Sequence, residues 1–221
     1  MIRLTDVQKS YAQGDHEVVA CEVNSLSVDD GEQVALIGRS GSGKTTLLHI
    51  LAGILRPDTG QVEIAGTDLS SLSEAGRDRF RGRHIGMVYQ TFNLLQPFTA
   101  FENVLLGALF GRGADSKARD IAAFLLDRVG LGDRLHHRPN QLSVGQIQRV
   151  AICRALVNDP GLILMDEPLG NQDKETGGQV LELLLQLAEE KGKTVVMVTH
   201  DPESAERMQR TIDLHTLRRD S

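Results

Sequence analysis

An α/β fold with a mostly parallel sheet is what the sequence predicts, preceded by an N-terminal antiparallel β subdomain and interrupted by an inserted α-helical subdomain. Short apolar runs at 34–37, 85–89, 162–165 and 194–199 are separated by longer helical patterns, the rhythm of repeated βαβ units. These runs are unbroken rather than alternating, as in strands covered on both faces. The first thirty residues differ. There Val19, Cys21 and Val23 alternate, followed by Leu26 and Val28 ahead of the turn Asp29-Asp30-Gly31, which reads as antiparallel structure. Between Phe98 and Arg149 the pattern is helical, with polar breaks at 111–116 and 130–133, and the inserted subdomain is placed at approximately 91–150. With no internal repeat or low-complexity tract, 1–221 reads as a single domain.

Composition narrows the function classes. The 221 residues are 40% hydrophobic and 24% charged, enough for one substantial core. Thirty acidic against 24 basic residues leave a net charge of −6, which argues against a nucleic-acid partner. Cys21 and Cys153 lie far apart without a CxxC or Cys/His cluster, so neither a zinc site nor a disulfide framework is expected. Both read as reduced, buried small hydrophobes. Residues 1–14 carry no apolar stretch of a secretory signal, and no run approaches the roughly 20 apolar residues of a membrane helix. Direct membrane insertion is therefore not expected, and any membrane work falls to a partner.

The most informative segment is Gly38-Arg39-Ser40-Gly41-Ser42-Gly43-Lys44-Thr45-Thr46, between the 34–37 strand and an apolar, helix-like stretch at 47–55. Strand, GxxxxGK[ST] and helix in that order make a P-loop, and with it a P-loop NTPase core. Glycines are needed because backbone N–H groups must converge on phosphate oxygens without a Cβ in the way. The helix N-terminus adds partial positive charge. Lys44 would reach the β- and γ-phosphates of ATP, and the Thr45 hydroxyl would ligate Mg²⁺. The bland alternative is a Gly/Ser-rich turn that binds nothing.

A second apolar strand ends in acids: Leu162-Ile163-Leu164-Met165-Asp166-Glu167-Pro168. Alone it reads most simply as a strand end with solvated carboxylates. Beside a P-loop it reads as a Walker B element, in which Asp166 helps hold Mg²⁺ and Glu167 polarises the attacking water.

A P-loop leaves kinases, GTPases, helicases and transporters open. The segment Leu142-Ser143-Val144-Gly145-Gln146-Ile147-Gln148-Arg149-Val150-Ala151 closely resembles the LSGGQ signature of ATP-binding cassette (ABC) ATPases. The resemblance extends in order over nearly the whole chain, with Tyr11 matching the A-loop aromatic, Gln90 the Q-loop, Asp173 the D-loop and His200 the switch histidine. The stretches Tyr89-Gln90-Thr91-Phe92-Asn93-Leu94-Leu95 and 166–173 look like the group serving lipoprotein release, macrolide-type export and bacterial cell division. Two departures stand out: Val144 replaces the usual Gly, and Leu169-Gly170-Asn171-Gln172-Asp173 replaces a Thr/Leu-containing version. They bear on rate. Cys153, where Ala is commoner, reads as a packing variant.

The resemblance implies a homodimer with each ATP sandwiched between one P-loop and the other subunit's signature, where Ser143 and Gly145 would bond the γ-phosphate and Gln146 lies in the same element. It also implies separately encoded membrane-spanning permease subunits and a peripheral position on the cytoplasmic face of the membrane. Tyr11, ahead of the first antiparallel strand, would stack on adenine, or is one more surface aromatic. Gln90 would touch Mg²⁺ or water and relay nucleotide state to the helical subdomain, or simply ends its strand. His200 would contact the γ-phosphate, or enters a helix before Asp201-Pro202. His136 and His137 fit no ligand spacing and read as a solvated loop pair.

The leading reading is an ATPase driving transport or mechanotransmission through membrane subunits. A soluble ABC ATPase of DNA repair or translation is the alternative, disfavoured by a single cassette, the absence of a heptad insertion and the excess acid. A small-molecule P-loop kinase would need a lid and an acceptor site that nothing supplies. The segment 90–104, rich in Phe and Leu, reads as a docking surface for a membrane subunit's cytoplasmic helix, as subdomain core, or as both on different faces.

Overall fold

The computed structural model describes residues 1–14, 16–39, 41–169 and 174–218. The chain runs through β1 (Ile2–Gln13), β2 (His16–Val28), β3 (Gln33–Ile37), α1 (Lys44–Leu51), β4 (Thr59–Ile64), β5 (Thr67–Asp68), α2 (Glu74–His84) and β6 (Ile85–Val88). It continues through α3 (Ala100–Leu109), α4 (Ser116–Arg128), α5 (Val144–Leu156), β7 (Leu162–Asp166), α6 (Lys174–Glu190), β8 (Thr194–Val198), α7 (Pro202–Glu206) and β9 (Arg210–Asp213). The strands form two sheets. One is antiparallel in the order β2-β1-β4-β5, and the other is parallel in the order β6-β7-β8-β3-β9.

The unbroken apolar runs are explained by the parallel sheet having a core on each face. Successive side chains of a strand point to opposite faces. Ala35, Ile163, Met165, Val195 and Met197 accordingly enter one core, shared with α3, α4, α5 and α6. Val34, Leu36, Leu162, Leu164, Val196 and Val198 enter the other, shared with α1 and the antiparallel sheet. Leu47, Leu48, Ile50 and Leu51 of α1 are all buried because that helix lies within this second core.

Cys21 and Cys153 are free and buried, as expected. Burial pushes the Cys21 thiol up to about 11. Several sequence boundaries shift: the second apolar run ends at Val88 rather than Tyr89, α1 ends at Leu51, and Tyr11 lies inside β1 rather than ahead of the first strand. The alternation expected through Val19 fails. Lys9 pairs with Cys21 and Ser10 with Val19, so Ala20 is an extra residue in β2, and beyond this bulge Val18 and Val19 are exposed. His137 is not solvated as expected. It is half-buried, with Nε2 3.0 Å from an Arg134 guanidinium nitrogen and its carbonyl accepting from the Ala100 N–H.

Candidate functional site

β3 and β7 both flank β8, and in a parallel sheet their C-terminal ends open on the same side. That order brings the loop after β3, the acids ending β7 and the turn after β8 to one edge. The cleft there has a volume of about 1390 Å³, and Gly38, Gly41, Gly43, Lys44, Thr45, Thr46, Glu167 and His200 all contribute to its lining.

The loop owes its shape to glycine. Gly41 has φ 76° and Gly43 has φ 93°, in the left-handed region that side chains avoid. At Gly43 the constraint is doubled, because a Cβ would lie 2.1 Å from the Ala20 carbonyl oxygen, which the β2 bulge presses against the loop. Lys44 opens α1 and is 7% exposed. Its ammonium donates to the carbonyls of Gly38 (2.8 Å) and Arg39 (3.0 Å), which folds it over the loop. The Ser42 hydroxyl is buried without a hydrogen-bond partner among the described residues. Ser40 lies outside the described residues.

Thr45 Oγ1 lies 3.4 Å from Asp166 Oδ1. Burial raises the Asp166 carboxyl above its ordinary range, opposed by His49, reinforced by Glu167, and opposed again by the Thr45 hydroxyl and Lys44. A hydroxyl and a carboxylate at this spacing suit a hard divalent cation that completes its shell with phosphate oxygens and water. Among the described residues no group of three or more His, Cys, Asp and Glu could hold a metal by itself. Glu167 follows directly, with φ 42° and its N–H donating to the Val198 carbonyl (2.9 Å). Its Oε2 is 2.7 Å from His200 Nδ1, so a carboxylate and an imidazole meet at the mouth of the loop.

The remaining predicted residues distribute differently. Tyr11 pairs with Val18 across the hairpin, so the two side chains share a face, and Val18 and Val19 line the cleft. The Tyr11 ring is partly exposed, with the Lys9 ammonium 5.8 Å from its centroid. Gln90 is exposed just past β6 and does not line the cleft. Ser143 is the N-cap of α5 and forms a capping box: its hydroxyl accepts from the Gln146 N–H (3.3 Å), and the Gln146 side chain accepts from the Ser143 N–H (2.9 Å). Val144 is the first helical residue, and Gly145 is buried behind it. None of Ser143, Gly145 and Gln146 lines the cleft. Asp173 lies outside the described residues.

Comparison with protein families matches residues 21–170 to the family described as ABC transporter. The chain belongs to that family. It is 47% identical over 209 residues to the lipoprotein-releasing system ATP-binding protein LolD of Pseudomonas fluorescens, covering 95% of this chain and 92% of the relative. It is also 46% identical over 214 residues to the macrolide export ATP-binding/permease protein MacB of Rhodopirellula baltica, covering 96% of this chain and 31% of that longer protein. Among solved structures it resembles the ATP-binding cassette MJ0796 in a dimeric post-hydrolysis state bound to ADP and Pi. That likeness has a TM-score of 0.88 at 41% identity and covers 96% of this chain and 94% of the other.

In this ABC cassette, sequence reasoning missed three polar side chains that tie α3 and α5 to the segments following β6 and β7. Asn103 of α3 is fully buried and satisfied: it accepts from the Leu95 N–H and donates to the carbonyls of Leu95, Phe98 and Thr99. Arg154 of α5 donates to the carbonyls of Phe92 and Asn93, and burial lowers its pKa. Gln148 of α5 donates to the Pro168 carbonyl. The available signal was an amide or guanidinium on a helix face otherwise filled with apolar residues. The segment after Gln90 is divided: Phe92 and Val104 are buried, while Leu95 and Phe98 are exposed.

Proposed function

We propose that the cleft binds ATP with Mg²⁺ and hydrolyses it in a dimer of this chain, working beneath separate membrane-spanning subunits on the cytoplasmic face of the membrane. The observation that carries this reading is the convergence of Lys44, Thr45, Glu167 and His200 on one cleft, with the Asp166 carboxylate 3.4 Å from the Thr45 hydroxyl. A phosphate fits the loop: Gly41 and Gly43 keep its backbone free of Cβ atoms, and the Ser42 hydroxyl has no partner among the described residues. Mg²⁺ would be held by Thr45 and Asp166, joined by Gln90, which follows β6 beside β7 in the sheet, and would neutralise charge on the phosphate oxygens.

Lys44 would leave the Gly38 and Arg39 carbonyls for the β- and γ-phosphate oxygens. Glu167 would polarise the attacking water, and His200, already within hydrogen-bond reach of it, would orient the pair against the γ-phosphate. Tyr11 would stack on adenine from the hairpin face it shares with Val18. Ser143, Gly145 and Gln146 sit away from this cleft at a helix N-terminus, which suits them to hold the γ-phosphate of a partner's nucleotide. Asp173 would lie at the same dimer interface. The helical segment at about 91–150 would act as a unit that meets the membrane subunits.

ABC transporter membership and near full-length likeness to a lipoprotein-releasing ATP-binding protein favour transport over DNA repair or translation. The dimeric cassette structures support the sandwich. Among the described residues no helix is long and apolar enough to cross a membrane, which leaves that span to partners.

The test is Glu167→Gln, which keeps shape but removes the carboxylate. Light scattering should show monomer converting to dimer with Mg-ATP and not with ADP. Adding Gly145→Glu should abolish that dimer through like-charge repulsion with the γ-phosphate. A double variant that still dimerises would refute the signature contact. If the Glu167→Gln chain alone stays monomeric, the measurement is repeated with the assembled complex, where effective concentration is higher.

A further inference from the structure

We propose that Gln148 is a positioning residue for the Glu167 carboxylate, through which the turn carrying Glu167 answers to the helix capped by Ser143. The inference rests on the reading of Glu167 as the group that polarises water.

Glu167 is held in a conformation it would not choose. Its φ of 42° is strained for a residue with a Cβ. The following Pro168 further biases it toward extended backbone. Such a turn persists only where its surroundings over-determine it. One side is fastened to the sheet, where the Glu167 N–H donates to the Val198 carbonyl at 2.9 Å. The other is fastened to α5, where Gln148 Nε2 donates to the Pro168 carbonyl at 2.9 Å.

Gln148 is a poor choice for stability alone. It is 1% exposed, and its Oε1 is buried with no hydrogen-bond partner among the described residues. An unmet buried acceptor carries a desolvation cost that an apolar side chain of the same length would avoid. What the amide supplies, and methionine cannot, is the donor to Pro168. The same helix carries the capping box of Ser143 and Gln146, and at about 1.5 Å per residue Gln148 lies roughly 7 Å along it from Ser143. A displacement of the α5 N-terminus is therefore delivered to the turn next to Glu167. In a sandwich dimer, the signature engages the partner's nucleotide while Glu167 acts on the chain's own, so Gln148 joins the two sites.

The test compares Gln148→Met and Gln148→Leu with wild type in the full chain, measuring thermal midpoint, KM for Mg-ATP and kcat. The expected result is a midpoint equal to or above wild type, KM within about twofold, and kcat lowered at least about tenfold. In the Glu167→Gln background, Gln148→Met should leave the Mg-ATP dimer intact, because no carboxylate remains to be positioned. Retained kcat with an unchanged midpoint would overturn the proposal. So would a lowered midpoint with activity lost only in proportion to unfolded protein, or failure of both variants to fold, since each would assign the amide to stability. Wild-type hydrolysis by Glu167→Gln alone would instead remove the role of Glu167, a distinct failure.

Discussion

His200 Nδ1 stands 2.7 Å from Glu167 Oε2 although 33 residues separate the two, because β7 and β8 are neighbours in the parallel sheet and end at the same edge. His200 is the more exposed partner, at 68% against 21% for Glu167. If the two act as a unit on one water, their removals should not add. His200→Ala and Glu167→Gln should each lower kcat roughly a hundredfold, and the double variant should be about as slow as the slower single one. Steady-state hydrolysis at saturating Mg-ATP checks this; multiplicative losses would show independent roles.

The Ala20 carbonyl and the left-handed backbone together make Gly43 irreplaceable. Gly43→Ala should destabilise the chain by about 3 kcal/mol or more, combining left-handed strain with a backbone clash. Gly41→Ala is the control. Beyond its chain neighbours nothing among the described residues lies within 4 Å of its Cβ position, so only the strain remains, about 1–2 kcal/mol. Urea unfolding without nucleotide should separate the two variants.

Asp166 is predicted to trade stability for function. Burial raises its folded pKa, so the favourable contribution of its protonated form is fully present below the unfolded pKa of about 3.9 and is lost as pH rises through the folded value. Asp166→Asn should therefore raise the thermal midpoint of the nucleotide-free, metal-free chain at pH 7, with the advantage vanishing near pH 3.5. The same variant should lose Mg²⁺-dependent hydrolysis. A lower midpoint at pH 7 would contradict the burial argument.

Val144 is already helical, as the first residue of α5 after the Ser143 cap, and its side chain is exposed. Glycine there should cost up to about 1 kcal/mol and leave turnover no faster. Ser143→Ala should cost about 1 kcal/mol through the lost cap. Denaturant midpoints and ATPase rates measure both, and activation by Val144→Gly at unchanged stability would show that valine strains the signature.

Sequence alone determined what contiguous residues encode. The P-loop was legible because strand, glycines, Lys44 and α1 follow one another, and their backbone demands are local. The central strands were legible because burial on both faces leaves an unbroken apolar run. The antiparallel hairpin was visible, yet its phase beyond Cys21 was not, since one bulged residue reverses the alternation without changing the composition.

Tertiary structure decided everything that depends on which strands are neighbours. No periodicity states that β8 lies between β3 and β7, and only that order brings Thr45 to Asp166 and His200 to Glu167. Gln148 and Pro168 are 20 residues apart, and the bond between them exists because α5 shares a core with the sheet whose strand β7 leads into Glu167. Local propensity acts over a few residues, whereas a catalytic contact is set by the packing of segments far apart in the chain, where a single buried amide differs from its apolar neighbours only in what it touches.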